Sequence, residues 1–323
     1  MHSLSVVIPV YRGESSLAAR VDELTKYRRQ SLSPGGVPFV ITELVLVYDN
    51  GADDSARVIR ELSAVEDWVR PIWLSKNYGQ HAATLAGMAS SIGDWVVTVD
   101  EDGQQDPADI GVMLDAALKT GSQVVYARPQ NRPPHGVLRN FASRRAKAIA
   151  VSLSGKSHAA DYNSYRLILG SVARGVAAYA GPGVYLDVAL GWVAGRFTTA
   201  PTFLRGEDRS SGYSGRALLS HFWRLVISSG TRVLRLVSVA GVVLAVVGVL
   251  VALWVVIVKL FFGIDSAGWA STVVILLLGC GAILFTLGVI AEYVGANVNM
   301  AMGKPAYFVT TDPADGPLGR HQS

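Results

Sequence analysis

The chain has almost no cysteine. Of 323 residues one is cysteine, Cys280, so no disulfide can form within the chain, which suits a reducing, cytoplasmic setting. There is no G-x-G-x-x-G and no G-x-x-x-x-G-K-[ST], so neither a dinucleotide fold nor a P-loop is indicated. The net charge is only +4 and no basic patch carries interleaved aromatics, which argues against nucleic acid as a partner. No internal repeat is found. Nor is a signal peptide expected, because the N-terminus passes directly into the strand pattern LSVVIPV. Charge itself is absent from two stretches: residues 236–258 and 269–290 run for 23 and 22 residues without a charged side chain. Both are longer than the roughly 18–20 apolar residues that span a bilayer. A buried core helix seldom runs so far without a polar face.

What remains is a charged portion of about 210 residues ahead of those runs, long enough to bury its own core. Arg224, Arg232 and Arg235 precede the first run, Lys304 follows the second, and the loop between them holds one lysine and one aspartate. The positive-inside rule then predicts a multi-pass protein of the cell membrane, with both termini and the charged domain on the cytoplasmic side. Residues 216–232 mix Leu218, Leu219, Phe222 and Trp223 with Arg216, Arg224 and Arg232. That pattern suits a helix lying in the membrane interface, with an ordinary surface helix as the alternative.

Within the charged domain, strand and helix patterns alternate. Strands are expected at 4–10, 41–48, 69–74, 95–99, 123–127 and near 197–203. Helices are expected at 14–29, 55–63, 80–91 and 109–119, and a loop at 31–38. This order predicts an α/β domain with a mostly parallel sheet. In such sheets the loops after successive strands gather along one edge. Those loops hold Pro9 and Tyr11, then Asp49, then Lys76 in SKNYGQH, then Asp100, Glu101 and Asp102. Acids spaced D-x-D on extended backbone point the same way. Their hard oxygens suit Mg²⁺ or Mn²⁺, which would grip a phosphate, although a solvated acidic turn would look the same. The group as a whole suits a nucleoside diphosphate: Asp49 for base or ribose, Tyr11 packing on the base, Lys76 adding charge.

Four motifs in order, VVIPVY at 6–11, YDNGADD at 48–54, LSKNYGQH at 74–81 and TVDEDGQQDP at 98–107, resemble glycosyltransferase family 2 with its GT-A fold. The two apolar runs narrow the resemblance to the polyprenyl-phosphate glycosyltransferases, the group of dolichol-phosphate mannose synthase, and the NYGQH stretch is similar to ArnC-type members. The resemblance spans residues 6 to about 309. It implies a GT-A domain at 1–214, an amphipathic segment at 215–232, a two-helix anchor at 233–292 and a cytoplasmic tail at 293–323. It implies an inverting transfer of sugar from a UDP- or GDP-sugar to a polyprenyl phosphate, undecaprenyl phosphate or similar, by a metal-dependent homo-oligomer. Pro9, Tyr11, Asp49, Lys76 and Asp100 would bind the donor, and Asp102 and Gln104 the metal. Asp100, Asp102, Asp161 and Arg166 would be catalytic. Ser164, Arg166, Arg205 and Arg209 would meet the acceptor phosphate, with Arg166 inside SYRL and Arg209 opening the loop 209–214. Arg139 and Arg144 are further candidates.

Some positions depart from the family pattern. Its glutamate falls on Gly13, the second acid of D-D-G-S is Asn50, the serine is Ala52, the lysine of S-K-Y is Gly212, and the middle of D-A-D is Glu101. Other readings stay open: a family 2 enzyme with a different acceptor such as a growing polysaccharide, or a catalytically weak nucleotide-sugar-binding scaffold subunit. A processive synthase would carry Q-x-x-R-W, and none is present. In the tail, PAYFVTT at 305–311 is β-prone and should pair with a sheet edge, preferentially that of a neighbouring copy.

Overall fold

The computed structural model describes residues 1–131, 162–205 and 268–316, with isolated positions between 237 and 261. The expected interface helix at 216–232 lies outside the described residues, and so do Asp161, Arg209, Arg139 and Arg144.

Among the described residues nine strands form one sheet: β1 (His2–Val10), β2 (Ser31–Leu32), β3 (Pro38–Tyr48), β4 (Val69–Leu74), β5 (Trp95–Thr98), β6 (Val124–Pro129), β7 (Arg166–Leu169), β8 (Phe197–Thr202) and β9 (Val309–Thr310). Their order is β8-β6-β7-β5-β1-β3-β4-β9, with β2 beside β3. The central strands are apolar on both faces, as strands covered by helices on both sides must be. Along β1, Leu4, Val6, Ile8 and Val10 enter one core and Val7 the other. The first core is closed by α1 (Leu17–Thr25), α2 (Ser55–Val65) and α4 (Asp109–Thr120). The second is closed by α3 (Gln80–Ser90), α5 (Gly170–Tyr179) and α6 (Leu186–Val193). Gly87 lets α3 lie close on the sheet: a Cβ there would come within 2.3 Å of Val7.

The sheet is mixed: six of its nine strands run one way, in keeping with the expected parallel core, and β2, β7 and β9 run against them. β1, β3, β4 and β5 run parallel, and so do β6 and β8, but β7 sits antiparallel between β5 and β6. The chain enters β7 from the edge where the other strands end, so Ser164 arrives beside the acids following β5. The predicted loop 31–38 also contains structure. β2 pairs antiparallel with the start of β3 through a turn in which Gly36 takes φ +82°. Helix α1 is shorter than the predicted 14–29, because Ser16 and Leu17 first turn back onto the carbonyl of Gly13.

The long helix α7 (Trp269–Ala301) runs 33 residues, about 50 Å at 1.5 Å per residue, eleven residues beyond the expected apolar run. Its stretch Leu278–Ala301 is long and apolar enough to cross a membrane, and it is the one such helix among the described residues. Leu278, Leu284, Phe285 and Leu287 are exposed, so α7 is not a core helix of the α/β domain. Most of the first apolar run, 236–258, lies outside the described residues; those that are described, such as 246–251, are helical. α7 ends at Gly303 (φ +64°), with Pro305 beyond it, a combination that stops a helix sharply.

Candidate active site

The edges of β1, β3, β4, β5 and β7 surround a cavity of about 600 Å³, whose walls include Pro9, Tyr11, Asp49, Asp100, Asp102 and Ser164. Six expected residues thus come together.

Asp49 follows β3 directly and is buried. Its carboxylate accepts the backbone N–H of Tyr78 at 2.7 Å and of Gly79 at 2.8 Å. Gly79 takes φ +90°, which a side chain would resist. Burial raises the Asp49 pKa and the two amides oppose the rise. Asn50, in place of the family's second acid, sits at φ +54°, a conformation asparagine tolerates, and donates to the carbonyl of Ser75 at 3.3 Å. Next to it, Gly51 passes under the β1 loop: a Cβ would stand 1.8 Å from the carbonyl oxygen of Tyr11. Gly51→Ala should therefore part the two loops, costing about 1–3 kcal/mol, as overpacking does. Ligand affinity of the adjoining cavity should fall with it. Gly175→Ala, in α5 with no neighbour within 4 Å, should be neutral or better in the same thermal melts.

Asp100 is held by three donors. Gln80 Nε2 reaches one carboxylate oxygen at 2.6 Å, Gln105 Nε2 reaches the other at 2.9 Å, and Ser164 Oγ donates to that second oxygen. Burial pushes its pKa up to about 6, with Asp102 adding to the rise while Ser164, Arg166 and Gln105 oppose it. Glu101 turns to the β1 loop and accepts the N–H groups of Tyr11 (2.9 Å) and Arg12 (3.0 Å). Asp102 is exposed to the cavity. It accepts the N–H of Gln104 at 3.0 Å across a turn at Gly103, where φ is +89°.

Beneath this turn lies a network of charges. Arg20, buried, donates to the carbonyl of Gln105 at 3.0 Å and to Glu23 at 2.8 Å. Arg205 pairs with Glu23 at 2.7 Å and Asp106 at 2.9 Å, and its backbone N–H reaches the carbonyl of Gln104 at 2.9 Å.

The geometry redistributes several expected roles. Arg166 does not face the cavity. It is buried, paired through both nitrogens with buried Asp187 at 2.6 and 2.8 Å, and bonded to the carbonyl of Ser164 at 3.1 Å. Burial alone would lower its pKa, but Asp187 outweighs it and holds the charge. Arg205 is likewise committed, to Glu23 and Asp106, rather than turned toward an acceptor. Lys76 is exposed, with Nζ 5.2 Å from the Tyr78 ring centre, and is absent from the cavity wall. Gln104 is absent too; its neighbour Gln105 is the glutamine that engages Asp100. Among the described residues no three His, Cys, Asp or Glu side chains converge as a metal site. Sequence reasoning missed Gln80 and Gln105, and it counted Glu101 among the edge acids without its role of holding the β1 loop. His81 also joins the wall: its ring centre lies 4.1 Å from that of Tyr185, the two rings tilted by 54°, and both line the cavity. The tail contributes as well: Ala306 forms part of the wall.

The profile of Glycosyl transferase family 2 matches residues 5–174, more than half the chain. The chain is 32% identical over 330 residues to the undecaprenyl-phosphate 4-deoxy-4-formamido-L-arabinose transferase of Proteus mirabilis (strain HI4320), covering 96% of this chain and 93% of that one. It is 30% identical to the transferase of the same name from Klebsiella pneumoniae (strain 342), covering 95% and 92%. Among solved structures, glucosyl-3-phosphoglycerate synthase from Mycobacterium tuberculosis in complex with phosphoglyceric acid is similar with a TM-score of 0.48 and 15% identity, over 72% of this chain and 80% of that one.

Proposed function

The chain belongs to glycosyl transferase family 2, and we propose that it transfers a sugar from a UDP- or GDP-sugar to a membrane polyprenyl phosphate, undecaprenyl phosphate or similar, with inversion at the anomeric carbon. One observation carries the reading. A single cavity joins Asp49 to Asp100 and Asp102, an arrangement that supports assigning the first to a nucleoside and the other two to a diphosphate. The end-to-end likeness to undecaprenyl-phosphate sugar transferases supplies the acceptor class.

In this reading Pro9, Tyr11 and Asp49 hold the nucleoside. Asp102 and Asp100 would hold Mg²⁺ or Mn²⁺, and the partial shell they make fits a cation completed by donor phosphate oxygens and water. Bound there, the cation supplies neutralising charge to the departing diphosphate. Gln80, Gln105 and Ser164 keep the Asp100 carboxylate aimed. Arg166 is a positioning residue, tying Asp187 to the carbonyl of Ser164. The acceptor phosphomonoester, with a second pKa of about 6, is largely dianionic at neutral pH and needs no strong base. Its charge is met by the loop beginning at Arg209, with Arg139 and Arg144, since Arg166 and Arg205 are paired elsewhere.

The decisive experiment incubates the purified full chain with undecaprenyl phosphate and labelled UDP- and GDP-sugars, with and without chelator. Labelled lipid product that disappears with chelator is the expected result. Transfer to a polysaccharide primer instead would select the other acceptor class, and binding without turnover would select the scaffold. The anchor is tested by tags: a tag at either terminus should be reached only from the cytoplasm, and one in residues 263–268 only from outside. Termini on opposite faces would remove the two-span arrangement.

A further inference from the structure

After α7 the chain reverses and climbs the side of the α/β domain. β9 joins β4 of its own chain antiparallel, pairing Trp73 with Thr310 and Leu74 with Val309. Ser75 N–H continues the ladder to the carbonyl of Phe308 at 3.0 Å. Beyond β9, Asp312 receives both Nε and Nη2 of Arg60, at 2.6 and 2.8 Å. The same guanidinium lies 5.1 Å from the centre of the Trp73 ring. The Asp312 side chain is only 13% exposed, so this is a seated, two-pronged contact rather than a loose surface pair. Upstream, Tyr307 packs on the second core.

Two contacts connect this segment to the cavity. Ala306 is part of the wall. Met300, in the last turn of α7, stands 3.2 Å from where a Cβ on the cavity residue Gly181 would lie. There is also a connection along the chain. The strand that receives β9 continues into Ser75 and on to Tyr78 and Gly79, whose amides hold Asp49. The tail therefore stiffens the segment that shapes the nucleoside end, and supplies wall beside it.

We propose that residues 306–312 are a built part of the donor site, that Arg60 and Asp312 are positioning residues for the nucleotide, and that tail docking and nucleotide binding reinforce each other. The inference rests on the donor reading above. Linkage is reciprocal: if the docked tail tightens the nucleotide, the nucleotide tightens the tail. A segment that merely covers the edge of β4 would show neither effect.

The test uses the full chain in detergent with UDP and GDP as probes, each with Mn²⁺. Calorimetry gives the affinity, and hydrogen exchange of the peptide spanning 305–312 gives the docking. Asp312→Asn and Arg60→Gln should each weaken the bound nucleotide about 5–10-fold, at the lower end of ordinary coupling between sites. The exchanged pair, Arg60→Asp with Asp312→Arg, should recover most of the loss. In the unchanged chain, nucleotide should slow exchange at 305–312. Unaltered affinity in both single variants, with only a lower melting temperature, would overturn the inference and leave the donor reading intact. A wild-type chain that binds neither nucleotide would overturn both.

Discussion

Asp102→Asn should abolish transfer while leaving the fold in place. The side chain is exposed at the end of a strand loop, and the hydrogen bond it accepts from the N–H of Gln104 survives in the amide. What is lost is a full negative charge where the proposed function puts a cation and a diphosphate. Removing one preorganised electrostatic group from a transfer site costs about 10²–10³-fold in kcat, and a direct ligand should cost at least that. Thermal melts should coincide with wild type, and the response to added Mn²⁺ should vanish. Wild-type turnover in the variant, together with turnover that ignores chelator, would remove the metal from Asp102. The Asp100→Asn change should be similar in activity but also costly in stability, since Gln80, Gln105 and Ser164 are all arranged as donors to a carboxylate.

Arg166→Ala should destabilise the domain by about 3–5 kcal/mol, because it strands the buried Asp187 carboxylate without its partner. Tyr126, which donates to the same carboxylate at 3.0 Å, cannot replace the charge. An apolar pair of similar volume, Arg166→Met with Asp187→Leu, should recover much of the loss, as replacing a whole buried ion pair often does. Activity should fall in the single variant through displacement of Ser164, and so through Asp100, affecting donor and acceptor alike. A rise confined to the KM for lipid phosphate, at unchanged stability, would return Arg166 to the acceptor side.

Much of this was legible in the chain. The alternation of apolar runs with helical spacing located most of the strands and helices, because strands buried on both faces leave an unmistakable run of β-branched residues. The acids stood out because they interrupt such a run. What the sequence concealed was pairing across distance. Arg166 sits in a motif that suggests phosphate binding, and nothing in the string shows that Asp187, 21 positions later, returns on α6 to neutralise it. The choice between Gln104 and Gln105 turns on one left-handed glycine, Gly103, which rotates the second glutamine toward Asp100. The reversal of β7 is equally invisible, since a four-residue strand reads the same in either direction. Gln80 and Tyr185 carried no signal of their own. The β-prone tail was recognised as a strand that pairs with a sheet edge, and within the single chain the edge it takes is that of β4.

That last pairing has a consequence in time. Arg60 and Asp312 are 252 residues apart, so at about 5–20 residues per second the ribosome needs roughly 10–50 seconds after making one to deliver the other. From the completion of β4 until the tail arrives, the outer backbone of Trp73 and Leu74 is an unclaimed template, while the rest of the sheet is made and forms behind it. Any extended segment arriving early competes for the place, and the most closely matched competitor is the finished tail of an older copy nearby. Which tail closes the sheet is therefore decided by the order of arrival during synthesis as much as by the strength of the final contacts.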